Sequence, residues 1–135
     1  MANKFLNEKG CFYCNLSIGE QIIWGELKKN NIEFIPQKRF DDCKDKNLLP
    51  FDFYLPKYNT CIEFQREQHY FPVDFSYTPT EKSKEMAIEK FLSGQKRDKI
   101  KEEYCKTNNI FLLKISYKDK KRIGEILKEF FNQFN

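Results

Sequence analysis

What this 135-residue chain lacks narrows its function before any motif is considered. No apolar run approaches the roughly 18 residues that a membrane span needs, so no membrane-spanning role is expected. The first ten residues, MANKFLNEKG, hold no apolar h-region and no small-residue cleavage site, which predicts a cytoplasmic protein. Cysteines number five, an odd count that suits reduced thiols better than a disulfide framework. Cys11-Phe12-Tyr13-Cys14 has metal-ligand spacing, yet there is no second C-x2-C and no H-x3-H to complete a tetrahedral zinc site. Zn2+ at Cys11 and Cys14 would need Cys43, Cys61, Cys105 or a second chain; a reduced N-terminal hook is the favoured alternative. Internal repeats, low-complexity segments and dividing linkers are also missing, so a single domain is the default.

What is present is the composition of a globular protein, with 40% hydrophobic, 16% aromatic and 33% charged residues. A net charge of +4 permits nucleic-acid binding without demanding it. Basic groups gather late in the chain, at Lys96 and Lys99 and in the run Lys118, Lys120, Lys121 and Arg122. A solvated helix face and a loop would explain them equally well.

Periodicity outlines the elements. Ser17 or Gly19 opens a helix whose Ile22, Ile23 and Leu27 fit a 3.6-residue repeat and which ends at Asn30-Asn31. Glu20 falls in its first turn, at the edge of the buried stripe, where the helix dipole favours a carboxylate. Ile32 to Ile35 reads as a short strand stopped by Pro36, and Asp41 to Asn47 as a loop. Phe51 to Leu55 and Cys61 to Gln65 read as an antiparallel pair across the turn-rich Pro56 to Thr60. A helix is expected from Glu81 to Leu92, broken by Ser93-Gly94 before a second from Gln95 to Thr107. Ile110 to Ile115 reads as a buried strand, and Arg122 to Phe134 as an amphipathic helix striped by Ile123, Ile126, Leu127, Phe130 and Phe134. The fold class is therefore α/β, a small mixed sheet flanked by helices.

Two strands carry an anomaly. Period two places Asp52 and Tyr54 on one face, with Phe51, Phe53 and Leu55 on the other. Cys61, Glu63 and Gln65 likewise share a face, so pairing in a suitable register brings Asp52 beside Glu63. Opposed carboxylates repel unless something neutralises them, and a hard divalent cation with one or two carboxylate ligands would do so. Just beyond stands the only histidine, His69, whose imidazole can exchange protons near neutral pH. Asp98 and Lys101 lie one helical turn apart, on one side of a helix with Tyr104.

The ordered series Gly19-Glu20, Gln37-x-x-Phe40, Phe51-Asp52-Phe53-Tyr54-Leu55-Pro56, Ile62-Glu63-Phe64 with Gln68-His69-Tyr70, Arg97-Asp98-x-x-Lys101-x-x-Tyr104-Cys105 and Ile110-x-Leu112-Leu113 resembles the PD-(D/E)XK nuclease superfamily. Within it, the chain is similar to the branch of very-short-patch repair endonucleases and phage homing endonucleases with an EDxHD-type site. The resemblance spans Gly19 to Ile115. It implies a restriction-endonuclease-like core over residues 18–135, preceded by a 1–17 extension carrying the CxxC hook. The implied activity is Mg2+- or Mn2+-dependent endonucleolytic hydrolysis of DNA. Asp52 and Glu63 would hold the metal, Glu20 would add a carboxylate from the first helix, His69 would move a proton, and Asp98 would orient either His69 or a metal-bound water. Gln65 stands where the superfamily usually has lysine, and Arg66 where such relatives often have glycine. Lys101 is then a candidate for the missing positive charge. Two rivals remain open: a DNA-binding protein that keeps this fold without turnover, and an interaction or inhibitor module presenting Phe130, Phe131 and Phe134 to a partner. Homodimerisation is left open.

Overall fold

A computed structural model describes residues 6–7, 10–11 and 13–134, with side chains described from residue 13 onward. In chain order the elements are β1 (Leu6–Asn7), β2 (Gly10–Cys11), α1 (Ile18–Lys29), β3 (Ile35–Lys44), β4 (Leu48–Leu55), β5 (Thr60–Gln65), α2 (Glu81–Thr107), β6 (Phe111–Ser116) and α3 (Ile123–Asn132). The chain divides into two compact units, Met1–Glu33 with Lys118–Asn135, and Phe34–Tyr117.

In the first unit β1 and β2 pair antiparallel. Helix α1 starts where it does because Ser17 and Glu20 form a capping box. The Glu20 N–H donates to Ser17 Oγ at 3.3 Å, and the Ser17 N–H donates back to the Glu20 carboxylate at 3.2 Å. Two of the orphan donors of the first turn are thereby satisfied. α1 packs against α3, and Ile23, Leu27, Ile123, Leu127 and Phe130 are buried. Phe130 meets Phe131 and Phe134 with ring centroids 5.3 and 5.2 Å apart. Phe134 lies beyond the end of α3 and is half exposed.

The second unit is a four-stranded sheet in the order β3-β4-β5-β6. Both pairs β3/β4 and β4/β5 are antiparallel, whereas β5 and β6 are parallel, so the sheet is mixed. The parallel pair requires a crossover, which α2 supplies. β5 is central and buried along its whole length. Between the sheet and α2, Cys43, Leu49, Phe51, Cys61 and Ile110 form a buried cluster with Cys105 of the helix, and Phe40, Tyr54 and Tyr104 pack against it.

Three expectations from the sequence fail here, each for a physical reason. The strand expected over Ile32 to Ile35 is not there: residues 32–34 are irregular, and β3 starts at Ile35, runs through Pro36 and takes in the first part of the expected Asp41–Asn47 loop. β3 is an edge strand, where proline's missing N–H leaves no ladder bond broken. Ser93-Gly94 does not divide the helix, because α2 is continuous over 27 residues. Its Thr80–Ser83 capping box sets the start, and the Arg97 guanidinium donates to Ser93 Oγ at 2.8 Å across the expected break. One interior glycine costs only about 1 kcal/mol relative to alanine.

The third correction concerns the faces of β4. Phe51 and Tyr54 both pack on Phe40, with ring centroids 5.6 and 5.4 Å away, although simple alternation puts them on opposite sides. Alternation is interrupted between them. Pro36 pairs with Phe53 and Lys38 with Phe51, which leaves Gln37 across from Asp52 outside the regular ladder. Gln37 has φ of 51°, in the left-handed region that a residue other than glycine occupies at a cost of roughly 1–3 kcal/mol. The register shift of the β3/β4 pair lies further along, between Arg39 and Lys44, and the left-handed Gln37 is a separate irregularity across from Asp52.

Candidate active site

The Asp52 row is where the second unit concentrates its charge. Extending the β4–β5 register of Phe53 with Ile62 places Asp52 opposite Glu63. The two carboxylates do not confront each other bare. Each accepts a backbone N–H from the other strand: Phe64 N donates to Asp52 Oδ2 at 2.8 Å, and Asp52 N donates to Glu63 Oε2 at 3.1 Å. These charge-assisted bonds stand in for ladder bonds and fix both side chains in orientation.

Helix α2 supplies the countercharge. Lys101 forms an ion pair with Glu63 Oε1, and the two side chains are only 12% and 6% exposed. Its ammonium also stands 5.0 Å from the Phe51 ring centroid, over the residue that the interrupted alternation turned inward. One turn earlier on α2, Asp98 Oδ2 lies 3.0 Å from His69 Nδ1. An ionised carboxylate can only accept, so that geometry places the proton on Nδ1 and leaves Nε2 as the end able to exchange one. The i, i+3 spacing of Asp98 and Lys101 thus delivers one group to His69 and the other to Glu63. Gln65 shares the Glu63 face of β5 and is 7% exposed.

Comparison with family models, with curated proteins and with solved structures finds no match to this chain.

Asp52, Glu63, Gln65, His69, Asp98 and Lys101 all belong to the second unit, and three contacts tie five of them into two groups: Asp52–Glu63–Lys101 and His69–Asp98. Glu20 belongs to the first unit, where its Oε1 also accepts the Ser17 hydroxyl at 2.7 Å. Of the basic residues singled out for DNA, Lys96 pairs with Asp45 at 3.3 Å and Lys99 is exposed on α2. Lys118, Lys120, Lys121 and Arg122 occupy the turn Tyr117–Arg122, where Arg122 approaches Glu125 at 3.4 Å and Asp119 at 3.7 Å. Exposed pairs of this kind are worth about 1 kcal/mol or less and yield readily to a phosphate.

Two opposed carboxylates, each oriented by a backbone donor, fit a magnesium ion, which commonly takes one or two carboxylates and fills its remaining positions from water and phosphate. They do not fit a cage made wholly of protein ligands. Among the described residues, no group of three or more histidine, cysteine or acidic side chains gathers to hold a metal. Cys14 is exposed in the turn before α1, and the side chain of Cys11 lies outside the described residues. Cys43, Cys61 and Cys105 are buried in the cluster under α2. Donation to Cys105, and then burial, holds the Cys61 thiol well above its ordinary pKa, so it stays neutral. Burial likewise raises Cys43.

Gln37 is marked in the sequence only as part of the Gln37-x-x-Phe40 motif; its left-handed backbone and the place of Phe51 beneath Lys101 are not. Glutamine has no marked preference for left-handed backbone, so its residue type does not announce that conformation. For Phe51 the signal was misleading, because an unbroken alternation is the default for any strand.

Proposed function

We propose that this chain is a metal-dependent endonuclease of the PD-(D/E)XK kind that hydrolyses DNA phosphodiester bonds. The observation that carries the proposal is the Asp52–Glu63–Lys101 group: two acids and a lysine held together by β4, β5 and α2, with the lysine coming from the helix while Gln65 occupies the strand position. A magnesium or manganese ion held by Asp52 and Glu63 supplies Lewis-acid charge to the phosphodiester when bound. Lys101 sets a buried ammonium beside that charge and favours the extra negative charge of the transition state. Gln65 adds hydrogen bonding from its amide without charge. His69, with Nδ1 held by Asp98, moves a proton at Nε2, either from the attacking water or to the leaving oxygen. Glu20 is an assisting carboxylate by resemblance alone. DNA is the substrate by resemblance, supported by the basic residues Lys96, Lys99, Lys118, Lys120, Lys121 and Arg122, whose backbone contacts would weaken with salt.

A second reading, binding without turnover, is favoured by one observation: both oxygens of Glu63 already have protein partners in Asp52 N and Lys101. Relaxation of supercoiled plasmid with magnesium, manganese or EDTA separates the two. The nuclease predicts metal-dependent nicking by wild type that Asp52→Ala and Glu63→Ala both abolish. Salt-sensitive DNA binding with no nicking under any metal would leave the binding protein.

A further inference from the structure

The second unit contains a cavity of about 880 Å³ beside His69, which forms part of its wall. One side is the segment after β5, from Arg66 to Ser76, and the other is the N-terminal half of α2. The wall is tied together. Asp74 accepts the Ser83 hydroxyl at 2.7 Å and the Ser76 N–H at 2.9 Å, while Ser83 belongs to the Thr80 capping box that starts α2. Those bonds, the Ser83 hydroxyl first, hold the Asp74 carboxyl below its ordinary pKa and commit the cavity's one acid to the structure.

Its cations keep their charge uncompensated, although the Arg97 guanidinium donates to Ser93 Oγ at 2.8 Å. Arg66, Lys90 and Arg97 all line the cavity, and none of them makes an ion pair with a described residue. Apolar surface lies among them in Phe75, Met86 and Phe91, with Phe75 79% exposed and Met86 48% exposed. Unneutralised positive charge interleaved with aromatic and thioether surface suits a ligand that is both flat and anionic. An acyl chain would leave the cations unmatched, and an inorganic anion would leave the apolar walls in water.

From this charge complementarity, and from the shared wall at His69, we infer that the cavity receives an unpaired nucleotide of the DNA strand that the site engages. The inference rests on the nuclease reading for its choice of DNA, and it names the substrate class: duplex interrupted by an unstacked base. A base stacked inside a helix cannot enter such a cavity without leaving the stack, and the cost of extrusion is least where it is already unpaired. The base lies against Phe75, Met86 and Phe91, its phosphates face Arg66, Lys90 and Arg97, and Gln68 offers an amide to its edge. A free mononucleotide shares this chemistry, and the experiment distinguishes the two.

Gly94 provides the perturbation. It lines the cavity, and a Cβ built there meets only the Arg97 guanidinium, at 3.9 Å, so a side chain can start from this wall without crowding backbone at its first atom. Binding is measured by fluorescence anisotropy in EDTA, where no cleavage intervenes. The probes are a paired duplex, the same duplex with one bulged nucleotide, the bulged duplex with an abasic residue in place of that nucleotide, and a mononucleotide competitor. The expected result is a preference of about tenfold for the bulged duplex over the paired one, in line with stacking of one base on apolar side chains. The abasic residue removes that preference, as does Gly94→Phe, whose fold is checked by circular dichroism. Equal binding of bulged and paired duplex would overturn the inference, as would an abasic bulge that binds like the intact one. So would a mononucleotide that binds tightly while the bulge confers no gain. A parallel arm with magnesium keeps the two proposals apart: nicking without bulge preference removes the pocket and keeps the nuclease, and bulge preference without nicking does the reverse.

Discussion

Replacing Lys101 with alanine tests the arrangement at its buried ion pair with Glu63. The ammonium and its partner Glu63 are 12% and 6% exposed, so the pair is shielded from solvent on both sides. Removing one partner of such a pair costs about 3–5 kcal/mol, because the other charge remains buried and uncompensated. Glu63 keeps its bond from Asp52 N, which argues for the lower end of that range, about 3 kcal/mol. For a chain of this size that is a fall of roughly 10 °C in the unfolding midpoint. The double variant Glu63→Gln with Lys101→Met removes both charges at similar volume, and its cost should be only about 1 kcal/mol, far below the sum of the two singles, each of which leaves one buried charge uncompensated. Urea unfolding followed by circular dichroism, on wild type, Lys101→Met, Glu63→Gln and the double variant, measures this cycle. Magnesium should raise the midpoint of Lys101→Met more than that of wild type, because the ion competes with an ammonium only in the latter. A Lys101→Ala protein within about 1 kcal/mol of wild type, or a double variant whose cost equals the sum of the singles, would refute the buried pair.

Other consequences follow from neighbouring contacts. His69→Ala should lower the metal-dependent cleavage rate by about 10²–10⁴-fold, with Asp98→Ala losing less, because it removes only the group that holds Nδ1; plasmid nicking rates check both. Partial burial, then donation to Asp42, pushes the Tyr104 phenol from its ordinary pKa near 10 up to about 12. Its folded pKa is raised, so its contribution is complete below pH 10 and is lost as pH rises toward 12; alkaline unfolding of wild type beside Tyr104→Phe should show that loss only in wild type. Gly94→Ala should stabilise α2 by about 0.5–1 kcal/mol, read from the urea midpoint, since the position is helical and its Cβ meets nothing closer than 3.9 Å.

The legible parts of this fold are those fixed by local chemistry. The Ser17–Glu20 capping box and the stripe of Ile23 and Leu27 mark α1 in the sequence, and alternation with a turn-rich linker marks β4 and β5 as an antiparallel pair. The acids of Asp52 and Glu63 were visible as misfits on apolar strands, and the spacing of Asp98 and Lys101 showed that they share a helix side. What stayed hidden depends on position in the sheet. Pro36 ends a strand unless that strand is an edge, which only the strand order reveals. Ser93-Gly94 breaks a short helix, whereas a long helix with a strong cap carries the cost. The packing of Phe51 with Tyr54 on Phe40 accompanies a left-handed backbone at Gln37, which no residue preference announces.

The central claim is that Asp52 and Glu63 hold a metal that cuts DNA. The most direct measurement is the rate of plasmid nicking in magnesium by wild type, Asp52→Asn and Glu63→Gln, substitutions that keep size and remove one negative charge each. Nicking by wild type that falls at least about a hundredfold in both variants, with the fold intact, is the predicted result. Equal rates in all three, or nicking that persists in EDTA, would contradict it.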